Sequence, residues 1–244
     1  MKRIIKTLSE KWPEYLLEIL VLVIGIYGAF AVENWNENRK NDQLTEDYYC
    51  RFLEDLTQDE EELKKLIDGV SIRLKTSNEM LAELQKPVPV KRKAISLMLE
   101  STSKISYQFN PISAGYNDLK SSGNLNTFTD QEVKKELGRY FQEATGLAGN
   151  INRNGDIALD EMFEIENLYA IGFVDSPFFR AGLDSTTVDL RKLDRTPLTS
   201  SQIDKLKHMA SVLIAVNDRN ISHYTSILNR VKDIKPLLKS RCNY

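Results

Sequence analysis

The stretch EYLLEILVLVIGIYGAFAVENWNENRK, residues 14–40, decides how the rest of the chain is read. From Tyr15 to Val32 it holds 18 residues, of which only Glu18 is charged. At about 1.5 Å rise per residue a helix of that length covers about 27 Å, just enough for a bilayer hydrocarbon core of about 30 Å. Pro13 suits a first helical turn, where its missing N–H costs nothing, so the helix is expected to open there. The two tryptophans of the chain, Trp12 and Trp35, flank the run 23 residues apart. That is about 35 Å along a helix, which places both indoles at the headgroup layers as interface anchors.

Three readings compete for this run. A membrane anchor fits its length and flanks. A cleaved signal peptide is the second, because Ala29-Phe30-Ala31 has the A-x-A pattern of a cleavage site. Against it, the leader carries Glu10, Glu14 and Glu18, and the helical pattern runs through the would-be cut. A buried core helix is the third, and it gives no reason for tryptophans at both ends. Lys2, Arg3, Lys6 and Lys11 precede the run, while Arg39 and Lys40 follow it among acidic residues. That bias favours a cytoplasmic N-terminus. The expected organisation is a cytoplasmic segment over 1–13, a transmembrane anchor over 14–35 and an exported helical domain over 36–244.

The remainder of the 244 residues suffices for a domain with its own core. Net charge is −2 and no basic tract stands out, so a nucleic-acid partner is not expected. The acidic run Asp59-Glu60-Glu61-Glu62 precedes Lys64 and Lys65, and reads as a solvated helix face. Seven prolines punctuate long proline-free segments. From Leu44 to Leu84, apolar residues recur mostly at steps of three, four or seven, one face of a helix continuing the anchor as a stalk. Further helices are expected over 92–103 and 113–122, the latter stopped by Gly123. Thr129 to Glu132 reads as a capping box opening a helix that could reach about Tyr169, weakened by Gly138, Gly146, Gly149 and Gly155. Residues 172–198 look irregular. The last long helix starts at Thr199 and carries Ile203, Leu206, Met209, Leu213, Val216 and further apolar residues to Val231. The fold class expected is all-α: an N-terminal transmembrane helix continuing into an antiparallel helical bundle.

Three blocks carry a resemblance: residues 18–40, the segment FNPISAGYNDLKSSGNLNTFTD over 109–130, and the acidic helix between them. Together they resemble a bacterial family of unknown function, single-span membrane proteins with a helical exported domain. The resemblance covers residues 14–142. Glu18, Gly25, Trp35 and Asn36 match its anchor motif, and Pro111, Tyr116, Leu119, Lys120 and Gly123 its second block. It implies a single-pass membrane protein; with the basic bias before the run, the location expected is the bacterial inner membrane with a periplasmic bundle. It implies no activity, cofactor or partner.

No motif for catalysis is present. His208 and His223, the two histidines, lie 15 residues apart on the predicted last helix, about 22 Å, too far to share a metal. They read as surface histidines. Asn150 to Glu161 has EF-hand spacing, but Glu161 would be the only charged side-chain ligand at the usual positions, so a polar helix or turn is expected instead of a calcium loop. Tyr116 and Leu119 are expected to plug the bundle, with Lys120 solvated. No cofactor or metal is expected.

Glu18, Leu22, Gly25 and Ala29 share one helix face, and the small pair Gly25 and Ala29 lets backbones approach in lipid. The expected partner is a second copy or another transmembrane protein docked on that face. For Cys50 and Cys242 two readings stay open. They bridge the chain's end to the stalk, or Cys50 is a small buried residue and Cys242 lies on a frayed tail. A bridge requires Cα atoms within about 7 Å. The function expected is a non-enzymatic interaction or scaffold module of the cell envelope. Its alternatives are a sensor-type ligand-binding bundle coupled to a membrane partner, or a hydrolase using paired carboxylates.

Overall fold

The computed structural model describes residues 2–105, 107, 109–125, 128, 130–165, 184, 186–187 and 197–242. Among these the chain is all-α, with helices α1 (Lys2–Leu84), α2 (Lys91–Thr102), α3 (Ala114–Ser121), α4 (Gln131–Phe163) and α5 (Ser200–Lys239). α1 is one helix of 83 residues, about 125 Å long. It begins before Pro13, which lies inside it and not at its start. Losing one backbone donor there is tolerated in a helix held by many others. Among the described side chains of α1, the first buried ones are Tyr48 and Tyr49. The apolar run and residues 33–40 are exposed.

The helix ends are chemically explicit. Gly123, with φ +78°, ends the segment after α3 in the left-handed conformation that glycine adopts without a Cβ clash. α4 is capped by Asp130, whose carboxylate accepts from the N–H groups of Glu132 and Val133. Thr129 lies outside the described residues. α5 opens with a reciprocal capping box between Thr199 and Gln202. α4 continues through all four of its glycines and stops at Phe163, short of Tyr169, because an amphipathic face packed along α5 outweighs weak propensity. The irregular stretch expected over 172–198 falls largely outside the described residues.

Contacts between distant residues give the topology. Cys50 meets Cys242, Glu60 meets Lys235, and Arg73 meets Asn217, so α5 runs antiparallel to α1. Tyr49 meets Asp130 and Tyr140 meets Asp59, so α4 runs parallel to α1. α2 folds back on the end of α1, where buried Glu83 accepts from the Val90 N–H and pairs with Lys86 and Lys93. α3 lies across α1, and Gly115 permits that approach. A Cβ there would stand 3.1 Å from Asp55 Oδ2 and 3.3 Å from the Phe52 ring.

The core has two apolar clusters. One, near the start of the body, gathers Tyr48, Phe52, Leu56, Phe128, Tyr140 and Tyr224 among others. The second gathers Met80, Leu84, Met98, Leu206 and Leu213 with their neighbours. Each fully buried large side chain contributes roughly 1.5–3 kcal/mol. Between the clusters lies a polar layer. Asn217 donates to the Leu213 carbonyl (2.9 Å) and accepts from Arg73 Nε (3.1 Å), while Asn154 Nδ2 donates to Asn220 Oδ1 (2.7 Å). Hydrogen bonds of this kind hold α1, α4 and α5 in one register, because sliding by a turn would strand buried amides.

Candidate functional site

The exposed apolar run of α1 and the end of the bundle nearest it form one region. Along the run, Glu18, Leu22, Gly25 and Ala29 all face outward, and nothing lies within 4 Å of a Cβ built on Gly25. Trp12 and Trp35 are exposed at 59% and 64%. None of the 18-residue apolar window is buried, which removes the core-helix reading for this chain. Among the described residues one helix is long and apolar enough to cross a membrane.

Tyr48 lies 13 residues beyond Trp35, about 20 Å along α1. There Cys50 and Cys242 are joined in a disulfide with Cα atoms 5.1 Å apart. Asp130 sits beside it and serves three partners. It caps α4, accepts from Tyr49 Oη (3.3 Å) and pairs with the Arg241 guanidinium. Burial, and then the Asp130 charge, push the Tyr49 hydroxyl up to about 12. An open groove of about 720 Å³ runs beside the bridge, lined by Asp47, Arg51, Glu54 and Gln58 among others. Its mixed charges suit a polar partner more than an apolar ligand.

Two turns further along α1, Asp59 departs from the sequence expectation. It belongs to the acidic run read as solvated, yet it is 1% exposed. Tyr140 Oη donates to its Oδ2 at 2.5 Å, and the Ile112 N–H donates to both oxygens at 3.1 and 3.3 Å. Burial raises Asp59 from its ordinary 3.8 to about 6, against the lowering effect of those hydrogen bonds. Asp55, one turn back, is also raised by burial, against the lowering effect of the Gly115 backbone N–H. These are two carboxyls one turn apart that burial raises, the feature that a hydrolase using paired carboxylates would call for. Asp59 is sealed, however, and all its visible chemistry is to hold α1, α4 and the loop before α3 together. Its neighbour Glu60 is bound by Lys64 and Lys235, which lower it to about 2.

The remaining sequence candidates resolve as follows. Tyr116 stacks on Phe141 at 4.5 Å between centroids, Leu119 is buried, and Lys120 reaches over the Tyr116 ring. Asn150 to Glu161 is helical throughout within α4, so its polar side chains do not form a calcium loop. His208 is exposed and lies 3.5 Å from Glu161, whereas burial and Arg219 lower the pKa of His223. Among the described residues no group of three or more histidine, cysteine, aspartate or glutamate side chains is placed to hold a metal. Composition did not single out Asp59, Asp130, Tyr140, Arg73 or Asn217. The signal that could have found them is their place in the apolar stripes.

The profile of a family of unknown function, DUF6090, matches residues 18–144. The chain belongs to that family. The DUF6090 segment takes in most of α1, all of α2 and α3 and the first part of α4. It therefore contains Glu18, Trp35, Asp59, Ile112 and Tyr140, while α5 and Cys242 lie beyond it. No curated protein and no solved structure matches the chain.

Proposed function

We propose that the chain is a non-enzymatic interaction module of the bacterial inner membrane, anchored by a single pass with a cytoplasmic N-terminus and a periplasmic bundle. The observation that carries this reading is the unburied apolar run between Trp12 and Trp35, continuous with a helix that enters a packed body about 20 Å further on. An apolar surface of that extent needs lipid or protein to cover it. The disulfide supports export, because such bridges persist in oxidising compartments. The basic residues before the run support the orientation. Within the membrane, the Glu18, Leu22, Gly25 and Ala29 face would receive a second copy or a partner span.

Fractionation of cells expressing the full chain tests the anchor. The full-length mass is expected in the membrane pellet, with the body digested by protease in spheroplasts. A mature N-terminus at Val32, or a body protected in spheroplasts, overturns the reading. Crosslinking from the Gly25 and Ala29 face in intact cells tests the interaction role. Its expected product is a homodimer or a complex with one transmembrane protein.

A further inference from the structure

We infer that a cleft over Gly69 and Arg73, on the side of the bundle, binds the oxyanion head of a small soluble ligand, a phosphate or a carboxylate. The cleft has a volume of about 300 Å³ and is lined by Glu62, Lys65, Leu66, Gly69, Arg73, Lys104 and Tyr107. That size lies at the lower end for small-molecule sites. Three cations and one carboxylate line it, leaving two net positive charges. The oxyanion site itself does not depend on how α1 is anchored, whereas its assignment to a soluble ligand rests on the proposed anchor.

Arg73 is the central observation. It is half-buried and donates from Nε to Asn217 Oδ1 (3.1 Å) and from Nη1 to the Ser103 carbonyl (3.3 Å). Both partners are neutral. A guanidinium has five N–H donors, so three remain without a protein acceptor among the described residues. Burial lowers its pKa against the opposing effect of Tyr224, and among the described residues no carboxylate is ion-paired with it. A buried charge of this kind is costly unless an anion meets it. The bonds to Asn217 and Ser103 fix the fork's position in advance, as bidentate recognition of an oxyanion requires.

Three further features agree. Lys104 lines the cleft from the turn that ends α2, where its left-handed backbone (φ 55°) follows the helix C-cap at Ser103. Gly69 leaves the backbone of α1 bare at the cleft, and a Cβ there would meet nothing within 4 Å. Leu66 and exposed Tyr107 offer an apolar and aromatic wall for the rest of the ligand. Every lining residue falls within the DUF6090 segment. If α1 is the anchor, Gly69 is 34 residues beyond Trp35, about 51 Å along the helix. Headgroups of the same bilayer are then out of reach, which points to a ligand in solution.

The full chain in detergent micelles provides the test, with thermal melts and calorimetric titration at matched ionic strength. Inorganic phosphate and phenyl phosphate are the probes, against chloride. Saturable stabilisation is expected from both, with phenyl phosphate binding several-fold tighter because Tyr107 and Leu66 contact its ring. Arg73→Gln should weaken binding at least tenfold, and the pair Lys65→Gln and Lys104→Gln should do so without touching the Asn217 contact. Gly69→Leu is the decisive variant. Leucine is the better helix former and has room, so the free protein should melt higher while the response to phosphate disappears. A saturable response that survives Gly69→Leu, or no response beyond chloride in the parent chain, overturns the site. Competition by phosphatidylglycerol added to the micelles would assign the cleft to a lipid headgroup and overturn the soluble ligand.

Discussion

Asp59 holds its proton to about pH 6, whereas an unfolded aspartate releases it near 3.8. Between those values the native state binds more protons than the unfolded chain, so stability falls as pH rises. The difference of about two pH units corresponds to about 3 kcal/mol. Glu60 acts oppositely. Its stabilisation is present above its ordinary 4.5 and is lost as pH falls toward 2, where Lys64 and Lys235 still hold it ionised in the folded state. From these two groups, stability is expected to peak at about pH 4–5. In urea melts across pH 3 to 8, Asp59→Asn should flatten the decline above pH 4, with the Tyr140 hydroxyl turning to accept from the amide. A parent-like slope would show that another group dominates. Tyr140→Phe leaves the buried carboxyl short of a donor and should cost about 1–3 kcal/mol. Asp59 was legible in the sequence by position, not by type. Apolar residues at 48, 52, 56 and 63 leave a step of seven, and residue 59 is the turn that the step skips. Charge alone made the run look solvated, because sequence does not show which acid has a tyrosine from another helix waiting for it.

At the scale of elements, the same skipped positions recur. On α5, Asn217 and Asn220 fill the stripe between Leu213 and Tyr224, and on α1, Ser77 fills it between Leu74 and Leu81. Helix existence was therefore readable from periodicity, and the polar layer was readable as its interruptions. The exact ends were not, since Asp130 outcompeted the Thr129 reading by offering its carboxylate to two N–H groups. Asp130→Ala should remove that cap, release Tyr49 and leave Arg241 with Glu132 as its remaining ion pair. A loss of at least the 1–2 kcal/mol typical of a cap is expected in thermal melts. For the apolar run of α1, replacing Gly25 and Ala29 together by leucine should block close backbone approach and reduce association of the span in membranes. Unchanged energy transfer between labelled copies would remove that face from the interaction.

For the whole molecule, the antiparallel return of α5 was implied by helix count and length, but its partners were not. Two helices can pair in several registers; the contacts Cys50–Cys242, Glu60–Lys235 and Arg73–Asn217 choose that of α5 on α1, and Asp59–Tyr140 that of α4. The bridge closes a span of 192 residues of sequence. On the chain-entropy account a closure of that size stabilises by about 5 kcal/mol. Cys50→Ser with Cys242→Ser should lower the urea midpoint accordingly, and reduction of the parent chain should reproduce the loss. A midpoint shift under 1 kcal/mol would mean that the unfolded chain is already compact there.

The bridge also gives α5 a direction of opening. A helix normally frays from both ends, but the last turns of α5 are tied through Cys242 to α1, and Arg241 is held by Asp130. Local opening is then expected to start at the Ser200 end, which has the capping box and the packing of Leu206 and Met209 but no covalent tie, and to travel toward the tied end. Amide hydrogen exchange along α5 should therefore be graded, fastest near Ser200 and slowest near Leu238. Reducing the disulfide should narrow that gradient.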